Sequence, residues 1–429
     1  MCSFRLFGMQ KPKDEEVWST EVTEEDLENA VEDEFGVKYS KDWKRLLKAP
    51  SRLKGEYSIR KGVKVIGNSA FGGCCSLTNI NIPNSVTNIG DDAFSWCCKL
   101  TSINIPNSVV NMNGNPFRMW DGDLHNESKA FIYEHQVLFN KDRTTLIAYI
   151  SNDTNYIIPD SVTNIGDRAF WGCSLTNINI PNSVTNIGDE AFSWCRKLTS
   201  INIPSSVVNM DGNPFCEWDG DLHNESKAFV YEHQVLFSKD KTILIAYRSD
   251  ETNYIIPDSV TNIGDRAFWG CSSLTNINIP NSVTNIGDEA FWGCESLTSI
   301  NIPNSVTNIG SWAFDGCNSL TSINIPNNMT NIEVGAFLGC ESLTSINISN
   351  SVTNIGDLAF RGCYSLTCIN IPNSVTNIGV CAFEYCKSLT SINIPDSVTN
   401  IGNKAFWKCD NLPSKIKADI IQRFGEEVF

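Results

Sequence analysis

Ile279 to Asn301 reads IPNSVTNIGDEAFWGCESLTSIN. Its Phe291 returns every 23 residues as Phe314, Phe337, Phe360, Phe383 and Phe406, and one step back as Phe268. A fixed period in the twenties is the signature of a solenoid in which each repeat forms one rung. Leu297, Ile300 and Ile302 alternate with polar Ser299 and Asn301, the period-two pattern of a half-buried strand. Pro303 ends that strand, because proline has no N–H to give to a ladder. Val306 and Ile309 frame a second short extended segment, and Gly310 turns the chain. The Asp that follows in most rungs (Asp265, Asp288, Asp357) predicts an N-cap for one helical turn carrying Ala290, Phe291 and Cys294. A single rung leaves both faces wet, so the repeat is expected to be stable only as a stacked array. The fold class is a β-rich repeat solenoid.

Working outward, Phe71, Phe94 and Phe117 keep the 23-residue step, after which the step to Phe170 is 53. Past Phe192 and Phe215 it is 53 again, to Phe268. Residues 106–159 and 204–257 are nearly identical at an offset of 98, a tandem duplication of a multi-rung block. The long steps contain QVLFNKDRTTLIAY (136–149) and QVLFSKDKTILIAY (234–247), each two alternating apolar runs around a Lys-Asp turn. That is a β-hairpin signal. Hairpin-modified rungs are expected near residues 36–60, 118–158 and 216–256, inside the array and not as separate domains. Residues 1–35 read as an acidic tail and capping helix, 36–410 as the solenoid and 411–429 as a C-terminal capping helix. In the first, Thr23 to Asp26 starts a helix with Leu27, Ala30, Val31 and Phe35 at helical spacing. In the last, Ser414 can cap, Ile416, Ile420 and Phe424 share a face, and Gly425 ends the helix.

The net charge of −16 argues against nucleic-acid and anionic-membrane partners. No run of 18 apolar residues spans a membrane. The start, MCSFRLFGMQKPKDEE, is a poor signal peptide, so the chain reads as cytoplasmic. Of its 17 cysteines most fall at one rung position, from Cys74 and Cys97 to Cys386 and Cys409. A cysteine locked to the repeat phase reads as a small buried hydrophobe stacked on its copies. The vicinal pairs Cys74–Cys75 and Cys97–Cys98 also argue against a full set of disulfides, and no paired CxxC suggests zinc.

The pattern CxxLTxIxIPxSVTxIGxxAFxxC, clear from Cys294 to Cys317, resembles the BspA-like, Treponema pallidum-type leucine-rich repeat family over roughly residues 36–410. The resemblance implies a curved right-handed leucine-rich-repeat horseshoe with a parallel sheet on one side. It also implies a surface or secreted role in adhesion and protein–protein contacts. The Asn of the common LxxLxLxxN repeat is missing, so convex helices are not implied.

Chemistry is sparse. His125, His135, His223 and His233 lie only in the inserts, near Asp121, Asp123 and Glu134, at no familiar ligand spacing. No nucleophile elbow or phosphate loop is present. The chain therefore reads as a non-enzymatic protein without cofactor or metal. Outward strand positions form a column of Asn, including Asn278, Asn301 and Asn324, which satisfies the sheet face or meets a carbohydrate. Rungs differ most around the landmark Phe, where Trp96, Trp171, Trp194, Trp269, Trp292, Trp312, Tyr385 and Trp407 stand. Repeated tryptophan on a turn is a candidate interface anchor for a protein partner. The first functional reading is a protein-interaction module with an adhesive or surface role. The alternatives are an intracellular scaffold and a carbohydrate-binding module.

Overall fold

The computed structural model describes residues 18–429. The export-signal reading and the first part of the acidic tail lie outside the described residues. The described residues divide into two compact units, one up to Ser151 and one from Asn152 to Phe429.

Both units are parallel β-solenoids. In the second, the strands Asn253–Ile255, Asn276–Asn278, Ser299–Asn301, Ser322–Asn324, Ser345–Asn347, Cys368–Asn370 and Ser391–Asn393 form one seven-stranded parallel sheet. Equivalent residues face each other in register, as Ser322 does Ser345 and Ile323 does Ile346. The middle residue points inward and the flanking pair outward, as the alternation requires. The second extended segment shrinks to two-residue strands such as Asn285–Ile286 and Asn308–Ile309. Between the strands and the turns lies a core of identical residues, with Val306, Ile309, Phe314 and Cys317 all buried. The landmark rings stack face to face, Phe291 on Phe314 at 5.2 Å and Phe314 on Phe337 at 5.6 Å. In the first unit Phe71 stacks on Phe94 at 5.6 Å.

The segment around each Phe corrects the expected helical turn. Residues two before and two after the Phe adopt left-handed φ, +55° at Glu289 and +68° at Gly293. The N–H groups of Glu289, Phe291 and Gly293 therefore donate not within a helix but to Ser311, Ala313 and Asp315 of the next rung, at 2.9, 2.8 and 2.8 Å. The Asp is likewise no helix cap. Asp288 Oδ1 accepts the Ser311 N–H one rung on at 2.7 Å, and Asp265 accepts that of Asp288 at 2.9 Å. The cysteine thiol is more than filler: Cys294 Sγ donates to the Phe268 carbonyl at 3.2 Å and Cys317 Sγ to that of Phe291 at 3.3 Å.

The inserts are hairpins that feed the rung column, with one strand more than expected. Phe131–Glu134, Val137–Asn140 and Thr145–Tyr149 form an antiparallel meander. Its first turn is a two-residue loop with φ of +49° at His135 and +59° at Gln136, the geometry of a type I′ turn. Phe229–Glu232, Val235–Ser238 and Ile243–Tyr247 repeat it, and Leu244 then pairs in parallel with Ile263.

The ends differ from expectation in detail. The Thr23–Asp26 capping box is present, but the helix is only Glu24–Glu28. Asn29 closes it by donating from Nδ2 to the Glu25 carbonyl, and Val31–Glu32 leaves to pair antiparallel with Lys38–Tyr39. Val31 and Phe35 therefore do not continue a helical face. Ahead of that helix, Thr20 is buried and its carbonyl accepts the Asn68 N–H at 2.7 Å. The C-terminal helix, Ser414–Phe424, buries Ile420 and leans Ile416 and Phe424 on the core. Ser414 is its first residue and makes no capping bond, while Gly425 ends it. The tail then imitates a rung: Lys404 and Phe406 N–H donate to the Glu427 and Val428 carbonyls at 2.7 and 2.8 Å. Phe429 sits 5.7 Å from Phe406.

Close stacking leaves little room for a Cβ along one glycine column. A Cβ at Gly310 would run into the Asp288 carboxylate and backbone nitrogen of the rung before. Glu333 occupies that position one rung later. The two-residue ladder breaks there, between Asn308–Ile309 and Asn331–Ile332. Gly310→Ala should cost about 1–3 kcal/mol through overpacking, whereas Glu333→Gly should raise the melting temperature. Thermal unfolding of both variants checks the pair. Deleting residues 414–429 should lower the melting temperature and promote self-association by baring the last core, read by size-exclusion chromatography.

Candidate functional site

Two left-handed positions per rung create two columns of outward side chains on the turn edge. The column before the Phe holds charge. In the second unit Arg168 pairs with Glu190 at 2.5 Å, and Arg266 pairs with Glu289 at 2.6 Å and also with Asp189. These pairs run from rung to rung and tie the end of the insert to the rungs before it, helped by Asn213 Nδ2 donating to the Arg266 carbonyl at 2.9 Å. One residue past the Phe, Arg361 and Glu384 make a similar rung-to-rung pair at 2.5 Å.

The column after the Phe holds the aromatic residues. Two residues past the Phe most rungs place a left-handed glycine, among them Gly73, Gly270, Gly293, Gly316, Gly339 and Gly362. Trp96, Trp194 and Tyr385 occupy that same position, at φ of +56°, +61° and +63°. A bulky L-residue there costs roughly 1–2 kcal/mol relative to glycine. Trp171, Trp269, Trp292 and Trp407 sit one residue earlier, at ordinary φ. They pair with neighbouring rungs: Trp171 with Trp194 at 5.8 Å, Trp269 with Trp292 at 4.4 Å, and Trp407 with Tyr385 at 5.1 Å. Of the candidate anchors Trp96 is exposed and the others are half-buried. Trp312 belongs to the charged column, where its ring lies against Gly335.

Between these columns and the second insert lies a cleft of about 360 Å³ that the sequence reading missed. Its lining includes Arg196, Glu217, Trp218, Arg248, Asp250 and Trp269. Arg248 stacks on Trp218 at 4.3 Å and donates from Nη2 to the Trp218 and Gly220 carbonyls at 2.9 and 2.7 Å. Arg248 Nε and Trp269 Nε1 are buried without a hydrogen-bond partner. Burial raises the Glu217 carboxyl above its usual range, against the pull of Arg196. The signal was in the duplication. The first copy carries Arg118, Met119, Ile150 and Asn152 where the second has Cys216, Glu217, Arg248 and Asp250.

The other candidates are not assembled into a site. His125 stands in the outward strand column opposite Asn104, and His135 turns a hairpin. No group of three or more His, Cys, Asp or Glu is placed to hold a metal among the described residues. The Asn column is exposed along the sheet, beside a ladder in which each Thr hydroxyl donates to the Thr carbonyl of the previous rung, Thr298 to Thr275 at 3.3 Å.

Comparison with known proteins agrees with this architecture. The BspA type leucine-rich repeat region matches in six copies, over residues 54–121, 148–220, 246–367 and 354–429. Among solved structures, a leucine-rich repeat protein from Eubacterium ventriosum is 26% identical over 82% of this chain and 82% of its own, with a TM-score of 0.49. A leucine-rich cell surface protein from Faecalibacterium prausnitzii is 26% identical over 85% of this chain and 92% of its own, with a TM-score of 0.44. The T. pallidum leucine-rich repeat protein is 32% identical over 46% of this chain and 93% of its own, with a TM-score of 0.42. No curated protein sequence matches. No helix among the described residues is long and apolar enough to cross a membrane.

The left-handed column separates two kinds of tryptophan. Trp194→Gly relieves backbone strain as it removes a ring, so stability should stay within about 1 kcal/mol of the parent. Trp269→Gly removes a half-buried, stacked ring and should cost about 2 kcal/mol or more. Denaturant unfolding compares them. At Asp315, burial pushes the carboxyl up to about 6, against the hydrogen bond that Trp292 Nε1 donates at 2.9 Å. A raised carboxyl keeps its proton in the folded chain where the unfolded chain has lost it. This group therefore adds stability as pH falls from about 6 toward 3.8 and withdraws it above 6. Asp315→Asn should raise the melting temperature at pH 8 and flatten that part of the profile.

Proposed function

We propose that this chain, which belongs to the BspA-type leucine-rich repeat family, is a non-catalytic recognition protein that binds a protein partner through its aromatic turn edge. The observation that carries this is the placing of Trp96 in the first unit, and of Trp194 and Tyr385 in the second, at left-handed positions that most other rungs give to glycine, Met119, Glu217 and Lys408 excepted. A residue held where its backbone is strained, with its ring turned outward, is a cost that packing alone does not explain. Aromatic anchors flanked by charge are the composition of interface hot spots. The cleft beside Trp218 and Trp269 offers that edge a recess for an anchoring side chain. The strand face, by contrast, repeats the same uncharged residues and offers little to discriminate partners.

The burial of most cysteines at one repeat position, with thiols donating to Phe carbonyls as those of Cys294 and Cys317 do, supports residence in a thiol-reducing compartment, as an intracellular scaffold. Fractionation of cells expressing the full native gene tests this, and recovery at the cell surface would favour the adhesive role instead. The interface is tested with the triple variant Trp96→Gly, Trp194→Gly, Tyr385→Gly, which installs the residue that the rung before each one uses. Cross-linking capture with the parent chain should enrich a defined protein set that the variant loses while its melting temperature is kept. Equal capture by both would remove the turn edge as the interface, and glycan-array binding unaffected by the variant would move it to the Asn column.

A further inference from the structure

The vicinal cysteines of the first two rungs divide between two environments. Cys74 and Cys97 are buried in the ladder, and the Cys97 thiol donates to the Phe71 carbonyl at 3.2 Å. Cys75 and Cys98, one residue further on, are exposed. Their sulfurs stand 3.3 Å apart, one rung from each other, and both thiols lie against the Trp96 carbonyl, at 3.1 and 3.3 Å. Elsewhere this position holds Arg196, Ser272, Glu295, Asn318, Glu341, Tyr364, Lys387 and Asp410, so the two thiols are not part of the repeat. Cys98 opens on a shallow recess of about 300 Å³ lined also by Lys99, Thr101, Asp121 and Asp123.

We infer that Cys75 and Cys98 are a thiol–disulfide exchange site, which a small-molecule disulfide such as oxidised glutathione converts into a disulfide bridge between adjacent rungs. The hydrogen bond with Cys75 holds the Cys98 thiol above its usual value, which disfavours Cys98 as the first attacking sulfur. The Cys75 thiolate attacks one sulfur of the reagent, forming a mixed disulfide and expelling the first reagent thiol. Cys98 then loses its proton to solvent and attacks the Cys75 sulfur, releasing the second reagent thiol. The reagent disulfide is reduced to two thiols, and the two protein thiols are oxidised to one bridge. The sulfurs need only close from 3.3 Å to a bond of about 2.05 Å. Oxidation removes the two S–H donors from the carbonyl of Trp96, so its consequence for recognition rests on the interface proposed above, while the bridge itself does not.

The second unit supplies an internal control. Cys173 and Cys195 also stand 3.3 Å apart, but Cys195 is buried, burial holds its thiol well above the usual value, and it donates to the Phe170 carbonyl at 2.9 Å. The reduced full-length chain is incubated with oxidised glutathione, quenched in acid, alkylated and digested for non-reducing mass spectrometry. The expected product is a Cys75–Cys98 cross-linked peptide that has lost two hydrogens and carries no glutathione, formed well before any Cys173–Cys195 cross-link. Cys98→Ser, on an exposed turn and checked for an unchanged melting curve, should instead accumulate one glutathione on Cys75. Persistent glutathione adducts on the parent chain without the cross-link, or cross-linking of Cys173 to Cys195 at the same rate, would overturn the assignment. The readout needs no partner, so its failure is distinct from failure of the interface reading.

Discussion

Everything in this fold answers to the pairing of alternate backbone N–H groups with the next rung around each landmark Phe. For the N–H of Glu289, Phe291 and Gly293 all to point the same way, the chain must alternate hand on either side of the Phe. That alternation leaves Ala290 and Phe291 facing inward and lifts two side chains per rung outward. It also brings successive rungs close enough that Gly310 has no room for a Cβ and Asp288 can reach across to the next backbone. The thiol ladder follows from the same approach, because each cysteine lies within reach of the Phe carbonyl one rung earlier. Strands contribute few residues per rung, so this edge carries much of the register.

Much of the architecture could be read from the residues. The Phe period, the Leu297–Ile302 alternation and the phase-locked cysteines give stacked rungs, buried rings and a buried thiol ladder. The turn itself was misread because Ala290, Phe291 and Cys294 have the spacing of a helical turn, and spacing does not report the sign of φ. Glycine two residues past the Phe was the available signal, obscured where residues such as Trp96, Trp194 and Tyr385 replaced it. The extra strand of each insert escaped for a similar reason: His135 and Gln136 build a tight turn without the Asn-Gly that advertises one. At the N-terminus, Val31 and Phe35 kept a helical period, yet pairing of Val31 with Tyr39 prevailed over it. The candidate surface was legible as a list of aromatic residues but not as two columns of different character, because position relative to the Phe decides which backbone conformation each one bears. The cleft required tertiary structure, since Glu217, Arg248 and Trp269 come from three separate segments.

The two faces of the array do different work. The strand side is uniform, its amides and hydroxyls bonded to copies of themselves, as Asn308 Nδ2 is to Asn285 Oδ1 at 2.9 Å. The turn side varies from rung to rung, and its charges are arranged as rung-to-rung pairs. Such pairs fix neighbours without adding to the repeat, which lets each rung present a different outward residue on an invariant frame. Duplication followed by divergence at Glu217 and Arg248 shows the same logic within one molecule: the copied frame is kept while the recess beside it is rewritten.

The tail from Gly425 onward gives the array a defined end. By offering the Glu427 and Val428 carbonyls to Lys404 and Phe406, it occupies the sites on which another coil would grow. A stack of near-identical layers is a natural template for fibre growth, one molecule continuing where the last stopped. Here the chain supplies its own counterfeit layer, and the turn edge a second copy would need is already taken.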